Sequence, residues 1–146
     1  RDTTVLSAVE EVGAMIAVID EDERLALLTA TTVGRVGFMH DGRIEIIPVN
    51  YRVHGRDVLV RTRESGILAA LPDQPHVAFE VDHHDDLGGT AWSVLLSGHV
   101  ENMTPEQAKE APATRRHVVW AGDERSLWLR FVTDRVSGRR VRRPQG

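Results

Sequence analysis

The chain has 146 residues, 41% of them hydrophobic and 27% charged, a formal net charge of -4 and no cysteine. That is enough chain to bury one real core, and the lack of thiols excludes disulfides, cysteine nucleophiles and Cys-based zinc or iron–sulfur centres. The acidic balance argues against general nucleic-acid binding. No apolar run nears the roughly 20 residues of a membrane-spanning helix, and no charged-then-apolar secretory leader is recognisable. These features describe a single domain over residues 1–146, with 1–19 as an N-terminal extension and 20–143 as its body. The expected setting is cytoplasmic, with no nucleic-acid or membrane partner.

In chain order, Gly13 to Ile19 reads as extended. Asp20 with Glu23 three residues on has the spacing of a capping box, and it opens a helix from about Glu21 to Ala30 that buries Leu25, Leu27 and Leu28. Arg35 to His40 reads as a strand, and Asp41-Gly42 as a two-residue hairpin turn, because glycine accepts the positive φ such turns need. Strands from Arg43 to Val53 and from Asp57 to Thr62 follow, joined by a turn at His54-Gly55-Arg56. Ser65 to Leu71 reads as a short helix stopped by Pro72 and Pro75.

His76 to Asp82 is a strand, His83 to Thr90 a polar loop, and Ala91 to Met103 a long strand. Thr104 caps a second helix with Pro105 at its first position. Leu127 to Thr133 and Arg135 to Val141 are final extended segments. Five to seven strands with few helices, and no regular strand–helix alternation, predict a mainly β fold with α+β elements. Closing the sheet into a whole or partial barrel would remove its edges.

Several stretches carry polar handles. A proline within Ile46-Ile47-Pro48-Val49-Asn50-Tyr51 marks an edge, a bulge or a strand start, and a break there leaves backbone groups available to a ligand. Arg61 and Thr62 end a strand and Ser65-Gly66 open a helix, an arrangement that either caps the helix or offers N–H groups to an anion. Trp92 and Ser93 open the long strand, as core or as the wall of an aromatic ligand. Asp82-His83-His84-Asp85-Asp86 reads as a solvated turn, since adjacent strand residues point to opposite faces; no metal site is assigned. Five arginines between Arg135 and Arg143 form a basic tail without aromatic interleaving. Neither a nucleophile elbow, a P-loop nor a dinucleotide-binding glycine fingerprint is present. An enzyme of this kind borrows its chemistry from a cofactor, and no catalytic acid or base is assigned.

The order of the elements is more specific than any one of them. Val33-Gly34-Arg35-Val36-Gly37-Phe38, Asp41-Gly42, Ile47-Pro48-Val49-Asn50-Tyr51, Val60-Arg61-Thr62, Val77-Ala78-Phe79-Glu80-Val81-Asp82 and Gly89-Thr90-Ala91-Trp92-Ser93-Val94 follow one another as in one family. The chain resembles the pyridoxamine 5′-phosphate oxidase-like proteins, in particular the small actinobacterial flavin-nucleotide-binding type. The resemblance runs from about Asp20 to Met103 and more loosely to Arg143.

It implies a six-stranded split β-barrel working as a homodimer, with FMN at the dimer interface, and a flavin-binding oxidoreductase-like activity. By residue, Pro48, Val49, Asn50 and Tyr51 match the strand along the flavin ring. Arg61 and Thr62 match the strand end near the ribityl chain and phosphate, and Ser65, Gly66 and Ile67 the phosphate-side turn. Trp92 and Ser93 match the segment that closes the site, with Arg139 arriving from the last strand. Relatives commonly carry lysine where this chain has Ile67. That departure opens one alternative, a reductase using the deazaflavin coenzyme F-420; the lack of assignable catalytic residues opens another, a non-enzymatic flavin-binding or sensor module.

Overall fold

The computed structural model describes residues 15–63, 66–109 and 127–143. Its elements are β1 (Met15–Val18), α1 (Glu21–Thr29), β2 (Val33–His40), β3 (Arg43–His54), β4 (Asp57–Thr62), a 3-10 helix (Ile67–Asp73), β5 (Val77–Asp85), β6 (Thr90–Asn102), α2 (Pro105–Lys109) and β7 (Leu127–Arg142). All strand pairings are antiparallel, in the order β1-β7-β4-β3-β2-β5-β6, and β6 closes back on β7. Six strands therefore form a ring, and β1 lies on β7 beyond the end of β4. This is the split barrel expected from the sequence.

Local chemistry sets the turns. Asp41 (φ 50) and Gly42 (φ 75) both take positive φ, which matches a hairpin turn to the strand twist. The Asp20 side chain accepts from the Glu23 N–H at 2.8 Å, fixing the start of α1. Thr104 and Gln107 exchange side chain-to-backbone hydrogen bonds of 2.9 and 3.2 Å at the start of α2, a full capping box.

Four expectations are corrected. The helix after β4 starts at Ile67 rather than Ser65, has 3-10 geometry and runs through Pro72, which the tighter i→i+3 ladder tolerates near its end. His83, His84 and Asp85 continue β5 instead of looping out, because they pair with Trp92, Ala91 and Thr90 of β6. The two final extended segments are one strand, β7, interrupted by a bulge where Asp134 is skipped opposite Ser97 and Gly98. Arg135, Arg139, Arg140 and Arg142 are strand residues rather than a tail: Arg140 pairs with Glu23 at 3.0 Å, and Arg143, just past the strand, donates to the Asp86 carbonyl.

The core fills the ring. Val36, Phe38, Val49, Tyr51, Val58, Val60, Phe79, Val81, Val94, Leu96, Leu129 and Phe131 alternate inward from six strands, and Leu28 of α1 closes one end. Phe79 is fully buried at its centre, edge-on to Tyr51 at 4.9 Å and tilted against Phe131 at 6.0 Å. The Tyr51 phenol donates to the Leu28 carbonyl and ties α1 to the barrel. None of the described helices is long and apolar enough to cross a membrane.

Candidate functional site

Strand parity sorts the expected site residues into inward and outward groups. Val49, Tyr51 and Thr62 point inward and are buried, so their side chains belong to the core. Burial also pushes the Tyr51 phenol above its ordinary pKa, so it stays neutral. Ile67 is half-buried and packs against the same core, which directs it away from solvent. Trp92 likewise packs on the core and lies 6.3 Å from the His83 ring at one end of the barrel. Ser65 lies outside the described residues.

Pro48, Asn50 and Arg52 alternate outward on β3. Within β3, β4 pairs only with Tyr51–His54, so among the described residues the edge of Arg43–Asn50 that faces away from β2 is in no ladder. Proline fits there because it has no N–H to contribute. The Asn50 Oδ1 and Arg52 Nη1 atoms are buried and have no hydrogen-bond partner among the described residues. An orphaned acceptor and an orphaned donor thus stand two residues apart on one strand face. Continuing the β3–β4 register places Asn50 level with Arg61, which pairs across with Trp128 of β7.

Arg52 reaches diagonally to Trp128, its guanidinium 5.4 Å from the ring centroid. That reach passes over β4, where Leu59 is 1% exposed although it alternates outward. Burial, and then the charge of Arg61, lower the pKa of Arg52. Sequence reading missed both Arg52 and Trp128. The signal for Arg52 was its shared parity with Pro48 and Asn50; Trp128 needed the β4–β7 register.

Ser93 and Arg139 form a second group. They are register partners on the outside of β6 and β7, and Asp82 faces Ser93 from β5. In the ring, β3 and β6 are separated by two strands in either direction. Asn50 and Ser93 therefore sit on opposite flanks, and one flat ligand cannot touch both within a single barrel. The structure brings Pro48, Asn50 and Arg61 together and sets Ser93 and Arg139 apart from them.

Between the groups, Arg35 of β2 holds two carboxylates of β5, Glu80 at 3.3 Å and Asp82 at 3.0 Å. Burial pushes the Glu80 carboxyl up to about 7; a hydrogen bond with Asp82 and its charge add to this, and Arg35 opposes it. A raised acid binds its proton more tightly in the folded chain than in the unfolded one. Its stabilisation is complete below the ordinary value of 4.5 and is lost as pH rises towards about 7. Unfolding free energy is expected to fall across that window by on the order of 1–2 kcal/mol, less than full linkage because the side chain is 31% exposed. Denaturant titrations at pH 4.5 and 7.5 check this. A Glu80→Gln variant with the same pH slope as the parent would refute the assignment.

Two depressions flank this region. A cleft of about 440 Å³ lies at the β7 bulge, lined by Gly37, His76, Ala78, Ser97 and Arg135. A cavity of about 230 Å³ sits beneath α1, lined by Leu25, Leu28, Leu96, Val136 and Arg24. Neither includes the expected flavin residues. Among the described residues, no group of three or more His, Asp or Glu side chains is arranged for a metal ion.

The outer face of β3 continues from Asn50 and Pro48 into Ile46 and Ile44, which are 66% and 74% exposed. Such a row fits a flat amphipathic ligand or a second protein surface.

Over 95 residues the chain is 33% identical to the uncharacterised protein Rv0080 of Mycobacterium tuberculosis, covering 61% of this chain and 62% of that protein. The shared part is thus less than two thirds of the relative's length. Among solved structures, the chain is similar to a Corynebacterium glutamicum protein provisionally designated a pyridoxamine 5′-phosphate oxidase, at 25% identity and a TM-score of 0.75, covering 90% of this chain and 96% of that one. It is also similar to the FAD-binding protein of Mycobacterium smegmatis, at 27% identity and a TM-score of 0.72, covering 88% of this chain and all of that one. Residues 20–140 match the pyridoxamine 5′-phosphate oxidase family, and with the ring of six strands and the order of its motifs the chain belongs to that family.

Proposed function

We propose that this protein binds a flavin nucleotide on the outer face of β3 and serves as an oxidoreductase in a homodimer. The observation that carries the reading is the unpaired Asn50 Oδ1 beside Arg52 Nη1, next to the open edge at Pro48. A flavin's pyrimidine edge presents an N–H donor between carbonyl acceptors, so a buried acceptor with a donor close by is the complementary set. A buried polar group without a partner costs about 1–3 kcal/mol, which a ligand would recover. FMN fits this reading, and the FAD-binding relative extends it to the dinucleotide.

In this reading Asn50 orients the ring, Pro48 leaves its edge of the strand open, and Arg61 lies towards the phosphate end. When bound, a flavin accepts and passes on a hydride or electrons at its ring.

The separation of the two residue groups supports the dimer. Ser93 and Arg139 lie on the flank opposite Asn50, so their contribution to the same ligand requires a second copy. Ile44, Ile46 and Met39 supply exposed apolar surface beside the β3 site for that copy to cover.

Fluorescence titration with FMN, FAD and the deazaflavin tests the proposal, together with native mass spectrometry. Saturable quenching by FMN or FAD at micromolar concentration, and a dimer carrying flavin, are the expected results. A colourless protein that quenches neither would overturn the reading, and tighter deazaflavin binding would replace the cofactor. Reduction of the bound flavin by NADPH, followed by turnover with an acceptor, separates an enzyme from a carrier.

A further inference from the structure

An inward-facing valine of β7 stays open to solvent. Val136 is the register partner of Leu96, so the two side chains share the inner face of the β6–β7 pair. Leu96 is 3% exposed, yet Val136 is 38% exposed. The cause is a cavity of about 230 Å³, lined by Leu25 and Leu28 from α1 and by Leu96 and Val136 from the sheet. An engineered apolar cavity of roughly 150 Å³ takes up benzene. The larger volume beneath α1 holds an aromatic ring with a short polar arm.

The rim of the cavity is charged, and one of its charges is unmatched. Glu21 pairs with Arg56, Asp57 with Arg130 at 3.7 Å, and the neighbouring Glu23 with Arg140 at 3.0 Å. Arg24 also lines the cavity and has no carboxylate partner among the described residues. Its Nη1 donates to the Ile19 carbonyl at 3.0 Å, and its Nε is buried without a hydrogen-bond partner among the described residues. The stem lies directly over Gly138, where a Cβ would be 3.1 Å from both Cγ and Cδ. The guanidinium is therefore held in place with donor capacity unspent and no counter-charge. The edge that carries Nε–H is a fork matched to a carboxylate. Glu21 and Asp57 on the same rim disfavour a second negative charge, which selects a monoacid.

We infer that the cavity beneath α1 binds a compact monocarboxylic acid, its apolar body against Leu25, Leu96 and Val136 and its carboxylate on Arg24. The Glu21–Arg56 pair is exposed and therefore weak, so it yields readily to an entering ligand. This site shares no residue with the flavin face of β3 and fills whether or not a flavin is bound.

The test is a pair of NMR chemical-shift titrations at neutral pH, with phenylacetate and with its neutral isostere phenylacetamide, on the parent protein, Arg24→Gln and Val136→Trp. The parent is expected to bind phenylacetate with a Kd of about 0.1–1 mM, a range open to so small a ligand, and at least about tenfold more tightly than the amide. The largest shifts are expected in α1 and around Val136. Arg24→Gln is expected to bring phenylacetate down to the affinity of the amide without changing the amide, and Val136→Trp, which fills the cavity, to abolish binding of both. No saturable shift with phenylacetate at millimolar concentration, equal affinity of the parent for acid and amide, or binding that survives Val136→Trp would overturn the inference. Where Arg24→Gln does not fold, Arg24→Lys keeps the charge but loses the fork. It is expected to weaken phenylacetate alone by several-fold, and equal weakening of the amide counts against the inference. Where Val136→Trp does not fold, Leu25→Phe narrows the cavity from the helix side and is expected to weaken both probes; unchanged binding counts against the inference. Each of these results leaves the flavin reading to its own titration.

Discussion

Gly98→Ala is expected to destroy cooperative folding. Gly98 sits on β6 where the register with β7 shifts, opposite the bulge at Asp134. A Cβ there would overlap the Val132 carbonyl oxygen, lie 3.0 Å from the Val132 carbonyl carbon and 3.2 Å from the Asp134 nitrogen. All three are backbone atoms of the strand that closes the ring, so no side chain can rotate away. The methyl must push β6 off β7 at its bulge, and the pairing that completes the barrel is lost around it. A penalty of about 3–4 kcal/mol or more is expected, a large part of the 5–15 kcal/mol that holds a domain of this size. Urea denaturation followed by circular dichroism reads it directly. A midpoint within a few tenths molar of the parent would show that the close approach is not real.

Phe79→Ala is expected to cost about 3–5 kcal/mol. The ring is fully buried and touches both Tyr51 and Phe131, so truncation opens a cavity between three strands. The same ring lies over Gly34, where a Cβ would come within 2.5 Å of Cζ and 2.7 Å of Cε1. Here, unlike at Gly98, the severe overlap is with a side chain, and the backbone contact, with the Glu80 carbonyl oxygen, is a milder 3.1 Å. Gly34→Ala should therefore be harmful with Phe79 in place and much less so with Phe79→Leu, giving a coupling of about 1 kcal/mol or more. Additive losses in that double-mutant cycle would mean that glycine and ring do not meet.

The same residues explain what could be read from the sequence. The hairpin at Asp41-Gly42, the cap at Asp20 and the strands between them are local features, written in neighbouring residues. The barrel itself was legible because alternation and motif order both pointed to it. The misread stretches were those decided at a distance. His83 and His84 look like loop residues, yet β6 recruits them into β5. The gap after Thr133 looks like a strand break, yet β6 carries β7 through it with a bulge at the cost of one residue.

The site shows the same division. Pro48 and Asn50 share the outer face of β3 and Arg61 falls level with Asn50, placements that parity and turn length suffice to give. Tyr51 and Ile67 look like ligand residues by position but serve the core, because a 3.6- or 2-residue period does not say which neighbour claims a side chain. Trp128 meets Arg52 only through the pairing of β4 with a strand more than sixty residues later in the chain.

One consequence concerns how the molecule comes into being. β7 joins β4 to β6 and also holds β1, with Met15 opposite Arg142. During synthesis this strand arrives after every strand it must pair with. Until residues 127–142 have emerged, the ring stays open and the flanks of β4 and β6 are unpaired templates for other chains. With so much pairing distant in sequence, folding belongs to the slow, high-contact-order class, on the order of milliseconds to seconds. The strand that gives the finished barrel its closure is thus also the step at which a nascent chain is most exposed to aggregation.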